Sequence, residues 1–383
     1  MENQVALEKE NNAEDLYLAF ELSHKKWKLG FSDGKAPQIR EVSIKAGDLE
    51  ALGAEIQKAK RRLGLKESAE VRSCYEAGRE GFWLHRALEQ MGIHNMVVDA
   101  SSIEVNRRQR RAKTDRMDVK KLVRQLVRYW RGERDVWSVV RVPSAEAEDS
   151  RQPHRELEVL KEERKRHRVR IQSLLFTQGI DVKVGPKFLE KLAQLRCWNQ
   201  EPIPVQMKQR IQDEYDRLQL VAAQIREVKA KQAEQLEAEQ NNLALEKVRK
   251  LQQLMAIGMG SSWIFVMELF GWRQFQNRRE VAAAVGLTPT PYNSGDSARE
   301  QGISRGGNWR ARKLLIEIAW AWLRFQPNSK LSQWYQQRFA KGGQRMRRIG
   351  IVAMARRLVI DLWRYVEFGV VPEGAKLKAS AAS

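Results

Sequence analysis

The chain has 383 residues, with 69 lysines and arginines against 48 aspartates and glutamates, and a formal net charge of +21. This charge predicts a polyanionic partner, either nucleic acid or an anionic membrane surface. The sequence has no run of about 18 apolar residues, which argues against a membrane span. Its two cysteines form no CxxC motif, which argues against a disulfide framework or a zinc site. Together these features predict a cytoplasmic protein of two or three domains that binds nucleic acid.

Apolar and alternating segments near the N-terminus predict a mixed α/β sheet. The two expected helices are Asp48–Arg62 and Phe82–Met91, and the five expected strands are Leu16–Glu21, Trp27–Phe31, Gln38–Ile44, Val71–Glu76 and His94–Val98. Two of these strands end on a carboxylate, Glu21 or Glu76. Because ligand-binding groups collect at the carboxyl ends of strands in open α/β sheets, both residues are candidates for one site.

A second pair of carboxylates follows the basic run Arg107–Arg111. Asp115 and Asp118 open a predicted helix after Thr114, and their spacing of three residues places them on one helix face. Mg2+ prefers oxygen ligands and commonly uses carboxylates together with a substrate phosphate, which the nearby arginines would attract. The alternative is structural, because an N-cap threonine followed by acidic residues stabilises the start of any helix.

The polar region from His154 to Lys250 has apolar residues at three- and four-residue spacing, which predicts two long helices. The break between them contains helix-breaking residues: Gly179, Gly185, Pro186, Pro202 and Pro204. Helices with so narrow an apolar stripe need a partner, either in an antiparallel pair or in an inter-subunit coiled coil. A solvated helical spacer is the alternative.

The C-terminal third is predicted to be helical. Ile257–Gly260 joins two helices, where glycines either let backbone amides approach a phosphate or simply cap a helix. The segment Pro289–Asp296 predicts a loop, and spacing alone makes its Ser294 a turn residue rather than a nucleophile. The run Lys341–Arg348 is either an exposed helix start or a contact to a nucleic-acid backbone. Four tryptophans are predicted to lie in the core: Trp309, Trp320, Trp322 and Trp334.

Several of these segments resemble the motifs of one known family. They are Tyr17–Lys26, Cys74–Gly78, Lys113–Asp118, Met255–Gly260, Ala282–Pro289 and Tyr292–Gly295. They resemble the DEDD transposases of the insertion-sequence 110 family, over roughly Leu16–Arg131 and Leu254–Phe368. The resemblance implies an RNase H-like (RuvC-like) α/β domain, a long helical coiled-coil insertion, and an all-α C-terminal transposase domain with a helix-hairpin-helix turn.

The resemblance also implies boundaries and site residues. The expected segments are an N-terminal tail at 1–15, the catalytic domain at 16–150, the coiled-coil region at 151–250, the transposase domain at 251–370 and a tail at 371–383. The implied Mg2+ ligands are Glu21, Glu76, Asp115 and Asp118. The implied nucleophile is Ser294, with Ser297 as the alternative. The implied partners are donor and target double-stranded DNA, a guide (bridge) RNA, and copies of the chain in a dimer or tetramer.

The predicted function is therefore a site-specific DNA recombinase or transposase that acts through a serine–DNA covalent intermediate. One alternative is a RuvC-like structure-selective nuclease that uses activated water. The other is a non-catalytic nucleic-acid-binding protein derived from a transposase. The family's first acidic residue is aspartate, whereas this chain has Glu21. The additional methylene moves the carboxylate by roughly 1.5 Å, a large shift for Mg2+ geometry.

Overall fold

The computed structural model describes residues 15–35, 38–103, 119–294 and 297–378. The chain divides into two compact units, Met1–Val142 and Pro143–Ser383. Each unit has hydrophobic clusters of its own. The predicted helix start at Asp115 and Asp118 lies outside the described residues.

The first unit contains the predicted mixed sheet, which has five strands in the order β3-β2-β1-β4-β5. The strands are β1 (Leu16–Leu22), β2 (Lys26–Ser32), β3 (Arg40–Lys45), β4 (Val71–Glu76) and β5 (His94–Val98), and the helices are α1 (Leu49–Arg62), α2 (Trp83–Gln90) and α3 (Val119–Trp130). β1 pairs antiparallel with β2 and parallel with β4, and β4 pairs parallel with β5. The carboxyl ends of β1, β4 and β5 therefore lie at one edge of the sheet.

Both faces of this sheet are covered, which explains why β1 is apolar along most of its length. Side chains alternate between the faces of a strand. Leu16, Leu18 and Phe20 pack with residues of α1 and α2. Ala19 and Tyr17 pack instead with residues of α3. The face covered by α3 is the one that carries the candidate acidic residues.

The second unit begins with the two long helices that the sequence predicts. Its first four helices are α4 (Ala145–Asp149), α5 (Gln152–Phe176), α6 (Phe188–Gln194) and α7 (Val205–Ala238). Ile171 near the end of α5 packs with Ile211 near the start of α7. Leu157 near the start of α5 packs with Ile225 further along α7. The two helices are therefore antiparallel, and each buries its narrow apolar stripe against the other.

The remainder of the second unit is largely helical. Its elements are α8 (Leu243–Gln252), α9 (Met259–Phe265), a π-helical turn (Val266–Phe270), α10 (Arg278–Ala284), β6 (Pro289–Ser294), β7 (Ser297–Ile303), α11 (Trp309–Phe325), α12 (Lys330–Tyr335), a second π-helical turn (Gln336–Ala340) and α13 (Gln344–Phe368). The hydrophobic cluster between these helices includes Trp263, Phe270, Trp322 and Leu358.

Two predictions for this region are wrong. The segment expected to be a loop in an all-α domain forms an antiparallel hairpin of β6 and β7. Proline has no N–H to donate, but the outer edges of a two-stranded ribbon need no such donors, so the ribbon tolerates prolines. The strand register also shifts between Pro289 and Pro291. Trp322 is fully buried as predicted, but Trp309 and Trp320 are each 48% exposed. Apolar spacing alone does not reveal which side of a helix is covered.

Within the described ranges, no helix is both long and apolar enough to cross a membrane.

Candidate functional site

Glu21 and Glu76 occupy neighbouring positions on adjacent parallel strands. The register pairs Phe20 of β1 with Tyr75 of β4, and each glutamate is the next residue along its strand. In parallel strands, residues at matched positions point to the same face of the sheet. That face is the one toward α3, because Ala19 and Cys74, two residues earlier on the same strands, pack with α3. The structure therefore brings these two predicted residues together at one sheet edge.

The first turn of α3 packs closely on this face. Val119, the residue after Asp118 in the sequence, is fully buried. A Cβ added to Gly30 on β2 would lie 3.0 Å from Val119 Cγ2 and 2.9 Å from Val123 Cγ2. Gly30 is paired with Ala19 of β1. The absence of a side chain at Gly30 therefore lets α3 begin directly against the two strands.

The direction of α3 determines which end of the sheet its start approaches. Arg131 lies just past the end of α3 and donates a hydrogen bond to the Gly34 carbonyl. Gly34 follows the end of β2, which pairs with Tyr17 near the start of β1. Val119 lies instead at the level of Ala19, nearer to Glu21. α3 thus runs antiparallel to β1 and starts toward the end that carries both glutamates. Asp115 and Asp118, which precede α3 in the sequence, lie outside the described residues.

Asp99 is a third carboxylate at this edge, and the sequence interpretation missed it. It directly follows β5, and its carbonyl accepts hydrogen bonds from the Ser102 backbone (3.0 Å) and hydroxyl (2.7 Å). Burial and the charge of Asp99 raise the pKa of Glu76 above its ordinary value. The rule that selected Glu21 and Glu76, a carboxylate at the end of a strand, would also have selected Asp99.

Two further features define the chemistry of the edge. The Arg79 guanidinium donates to His24 Nδ1 at 3.0 Å, which joins the loops that follow β4 and β1. Burial raises the pKa of the Cys74 thiol far above its ordinary value, so this sulfur stays protonated and is a poor metal ligand. Glu21, Glu76 and Asp99 offer carboxylate oxygens at this edge, and such oxygens suit a hard cation such as Mg2+.

The described carboxylates do not form a complete metal site by themselves. Within residues 15–35, 38–103, 119–294 and 297–378, no three histidine, cysteine, aspartate or glutamate side chains are grouped closely enough to hold a metal ion. The donor type and the shared face nevertheless fit Mg2+. Further ligands would have to come from residues outside the described ranges, where Asp115 and Asp118 lie.

The candidate serine lies in the second unit, at the tip of the β6–β7 hairpin. Ser294 is the last residue of β6, and its backbone pairs with Ser297, the first residue of β7. The two candidate nucleophiles are thus directly opposite each other in the ladder. Ser304, beyond the end of β7, accepts a hydrogen bond from the Thr288 hydroxyl at 3.1 Å.

Two glycines in the left-handed region fix the base of this hairpin. Gly286 (φ 65°) precedes β6 and Gly307 (φ 68°) follows β7. A Cβ at these positions would lie 1.9 Å and 2.3 Å, respectively, from a carbonyl oxygen of the opposite segment, so a side chain has no room at either. Arg312 donates to the carbonyls of Val285 (3.0 Å) and Gly306 (2.7 Å), which ties the two segments together.

A buried carboxylate, Glu268, connects the hairpin region to α5. Glu268 is 1% exposed. It accepts hydrogen bonds from His154 Nε2 (2.8 Å), Arg155 Nε (3.0 Å), Arg155 Nη2 (3.2 Å) and Asn308 Nδ2 (2.6 Å). Asn308 also caps α11, since its side-chain oxygen accepts from the Ala311 amide at 3.0 Å. The network therefore joins α5, the first π-helical turn and the start of α11.

These contacts keep Glu268 ionised. Burial alone would raise the pKa of Glu268, but the hydrogen bonds from His154 and Arg155, the charge of Arg155 and the hydrogen bond from Asn308 outweigh it, so the pKa lies well below its ordinary value. No sequence motif identified Glu268 or Asn308. Glu268 lies 114 residues from His154 and 40 residues from Asn308 in the sequence, and only the fold brings the three together.

Comparisons with known proteins place the chain in a family. Residues 248–336 match the family model described as transposase, IS116/IS110/IS902 family. The chain is 39% identical over 377 residues to the putative transposase y4rJ of Sinorhizobium fredii, which covers 95% of this chain and 94% of that protein. It is 26% identical over 281 residues to the putative transposase y4qE of the same organism, covering 73% of this chain and 65% of that protein.

A third relative is the transposase for insertion sequence element IS1328 of Yersinia enterocolitica, 25% identical over 187 residues that cover 47% of this chain and 52% of that protein. The family match includes α9, the β6–β7 hairpin, α11 and α12, and the C-terminal motifs lie within it. These matches confirm the resemblance to transposases of the insertion-sequence 110 family at the level of the family. The chain therefore belongs to the IS116/IS110/IS902 family of transposases.

Proposed function

We propose that this protein is a DNA recombinase that cuts and rejoins the DNA of an insertion sequence, with an RNase H-like acidic site and a serine nucleophile. The observation that carries the proposal is the placement of Glu21 and Glu76 side by side at the carboxyl ends of parallel strands, on the face where α3 begins. In the proposed assignment, Asp115 and Asp118 complete the acidic set. Family membership supports DNA as the substrate.

The acidic residues would hold Mg2+ in this proposal. The ligands would be Glu21, Glu76, Asp115 and Asp118. Bound Mg2+ would polarise the scissile phosphate and stabilise the charge that develops on it. Asp99 would act on this set through its charge, because it disfavours the ionised form of Glu76 when no cation is bound.

Ser294 would carry out the covalent step. Its Oγ forms a bond to phosphorus while the bond between phosphorus and the 3′ oxygen breaks. The serine loses its proton and the 3′ oxygen gains one, so the products are a phosphoserine link and a 3′ hydroxyl. Rejoining reverses these bond changes on another DNA end.

A guide RNA is part of the proposal, together with donor and target duplex DNA. The net charge of +21 supports polyanionic partners. The test is to sequence the RNA that co-purifies with the protein. We expect its sequence to match DNA that flanks the gene, and RNA drawn at random from the host transcriptome would contradict the guide assignment.

The test of the acidic site is DNA cleavage in Mg2+. We expect Glu76→Gln, Asp115→Ala and Asp118→Ala to lose cleavage by roughly 100- to 1000-fold or more, because each removes a proposed ligand of the Mg2+ that would stabilise charge on the reacting phosphate. DNA binding should change little, since basic residues supply most of the affinity. The measurement is cleavage of labelled duplex carrying the sequence that flanks the gene, with the co-purified RNA present.

Glu50→Gln is the matched control, because Glu50 is an exposed carboxylate on α1. It should cleave at the wild-type rate. Glu21→Ala should be inactive and Glu21→Asp at least as active as the wild type. Full cleavage by an Asp115→Ala/Asp118→Ala protein would eliminate the metal site. Absence of cleavage by the wild type in Mg2+ or Mn2+ would favour a non-catalytic protein.

Self-association is the last part of the proposal, and one end of the α5–α7 pair provides the contact. Three large apolar side chains are exposed there: Phe176 (74%), Trp198 (77%) and Val205 (80%). Large exposed apolar side chains that form a patch mark interaction sites, and we infer that these three form one. We expect light scattering to give a dimer or tetramer, and a Phe176→Glu/Trp198→Glu protein to become monomeric while it stays folded. A Leu220→Glu protein, altered at an exposed residue on α7, is the control. A wild-type monomer with and without nucleic acid would contradict the assembly.

A further inference from the structure

The start of α13 projects from the second unit. The seven residues from Gly343 to Ile349, here called the projecting segment, are all exposed. Six of them, Gln344 to Ile349, begin α13, and at 3.6 residues per turn they make somewhat under two turns over a length of roughly 9 Å. Burial begins abruptly at Gly350, after which Ile351 is 1% and Met354 is 0% exposed.

The base of the projecting segment is held firmly. A Cβ on Gly350 would lie 2.4 Å from Phe339 Cγ, so glycine allows the helix to cross the second π-helical turn in close contact. The Tyr335 hydroxyl donates to the Arg347 carbonyl at 3.3 Å. The segment is therefore an extension of a helix that is anchored in the hydrophobic core.

The projecting segment lies in a strongly basic stretch of the chain. No aspartate or glutamate occurs between Glu317 and Asp361, an interval with nine lysines and arginines. Five of these cations are exposed on or just before the projecting segment: Arg338, Lys341, Arg345, Arg347 and Arg348. Within the described part of the chain, none of the five forms a salt bridge. Their uncompensated charge favours a polyanion.

The projecting segment also has a mixed face. At 100° per residue, Arg345, Arg348, Met346 and Ile349 fall on one side of the helix and Arg347 on the other. Met346 is 46% and Ile349 is 47% exposed. Arginine pairs with the O6 and N7 atoms of guanine, and apolar side chains contact the thymine methyl group, both in the major groove of DNA. Two arginines beside two apolar residues match this chemistry.

The dimensions of the projecting segment distinguish DNA from double-stranded RNA. A helix with its side chains is about 10–12 Å across, and the major groove of B-form DNA is about 12 Å wide. The major groove of A-form RNA is too deep and narrow for side chains to read. A helix start of this width, in which every residue from Gln344 to Ile349 is exposed, therefore suits duplex DNA.

We propose that the projecting segment enters the major groove of duplex DNA, with Arg345 and Arg348 on base edges and Arg338, Lys341 and Arg347 on phosphates. The inference rests on the proposed function in taking DNA as the substrate. It adds that the protein itself reads a short DNA sequence, independently of any guide.

The test measures binding of the full chain, freed of co-purified RNA, to duplex DNA in EDTA. Sequences preferred by the wild type are first selected from a random duplex library. We expect Arg345→Ala/Arg348→Ala to lose the preference, with roughly tenfold or more weaker binding to the selected duplex per arginine. Arg347→Ala should weaken binding to all sequences alike and lower the slope of log affinity against log salt by about one.

Several controls make the outcome specific. Arg168→Ala/Arg226→Ala removes two exposed arginines of α5 and α7 and should bind like the wild type. Replacing guanine by 7-deazaguanine in the selected duplex should weaken the wild type but not Arg345→Ala/Arg348→Ala, since it removes the N7 acceptor. Circular dichroism should show the same helix content in every variant.

Other results would overturn the proposal. One is an unchanged sequence preference in Arg345→Ala/Arg348→Ala, and another is a wild type that binds the 7-deazaguanine duplex as tightly as the unmodified one. A third is a preference for RNA or for phosphatidylserine vesicles over duplex DNA that is lost when the arginines of the projecting segment are replaced. Because the assay reads binding in EDTA, it does not depend on the acidic site or on Ser294. A Ser294→Ala protein that binds normally but cannot cut would separate this inference from the proposed chemistry.

Discussion

The Ser294→Ala protein should form no covalent adduct with DNA and should not recombine it. Ser294 ends β6 at the tip of a hairpin whose base is fixed by Gly286, Gly307 and Arg312. The proposed attack needs the Ser294 hydroxyl, and in a serine protease the loss of the nucleophile costs on the order of 10⁶-fold in rate. The measurement is denaturing electrophoresis of protein incubated with labelled DNA in Mg2+, followed by mass spectrometry of the adduct.

Ser297→Ala and Ser304→Ala are the matched controls for this experiment. Ser297 faces Ser294 across the ladder, so backbone position alone does not distinguish them. Ser304 is already engaged with Thr288. We expect both controls to form the adduct, with the nucleotide on the peptide that contains Ser294. An adduct lost only in Ser297→Ala would move the nucleophile to that residue. DNA cleavage without any adduct, undiminished in Ser294→Ala, would instead favour a nuclease that uses activated water.

Glu268→Ala should destabilise the second unit by about 3–5 kcal/mol, the usual cost of breaking a buried ion pair by removing one partner. The substitution leaves the buried His154 and the Asn308 amide without their acceptor and leaves Arg155 without its ion-pair partner. Asn308 begins α11 and also donates its backbone N–H to the Ala284 carbonyl at 2.7 Å. The measurement is the free energy of unfolding from urea denaturation at neutral pH.

The control for Glu268 is Glu158→Ala. Glu158 accepts from Arg310 at 2.7 Å, but this pair is partly exposed, at 39% and 30% of the side chains. An exposed pair is worth about 0–1 kcal/mol, so Glu158→Ala should be nearly neutral. Equal destabilisation by the two variants would contradict the assignment of a special role to the buried network.

Acid should remove the stability that Glu268 supplies. Its pKa is lower in the folded protein than its ordinary value of 4.5, so the ionised form is the one that favours folding. This contribution is complete above about pH 4.5 and is lost as the pH falls toward the lower folded value. The difference in unfolding free energy between the wild type and Glu268→Ala should therefore shrink below pH 4.5. A difference that is constant from pH 7 to pH 3 would show that the carboxylate charge is not responsible.

The sequence by itself determined the sheet and two of its acidic residues. Period-two alternation and short apolar runs bounded by turn residues indicate all five strands of the first unit. A carboxylate at the end of such a strand follows from the same pattern, which is how Glu21 and Glu76 were selected. The two long helices follow from apolar stripes that repeat over many turns, but the sequence left open whether they pair with each other, and the structure shows that they do.

Only the tertiary structure decided the features that depend on distant partners. The pairing of β6 with β7 was hidden by prolines and polar residues, which predict a loop when strand pairing is not known. Glu268, Asn308 and His154 carry no local signal, because hydrogen bonds across 40 to 114 residues have no sequence periodicity. The exposure of Trp309 and of the projecting segment of α13 likewise depends on which helix faces other elements cover. Local patterns fix secondary structure and its apolar faces, whereas the neighbours of a polar side chain are set by the packing of the whole chain.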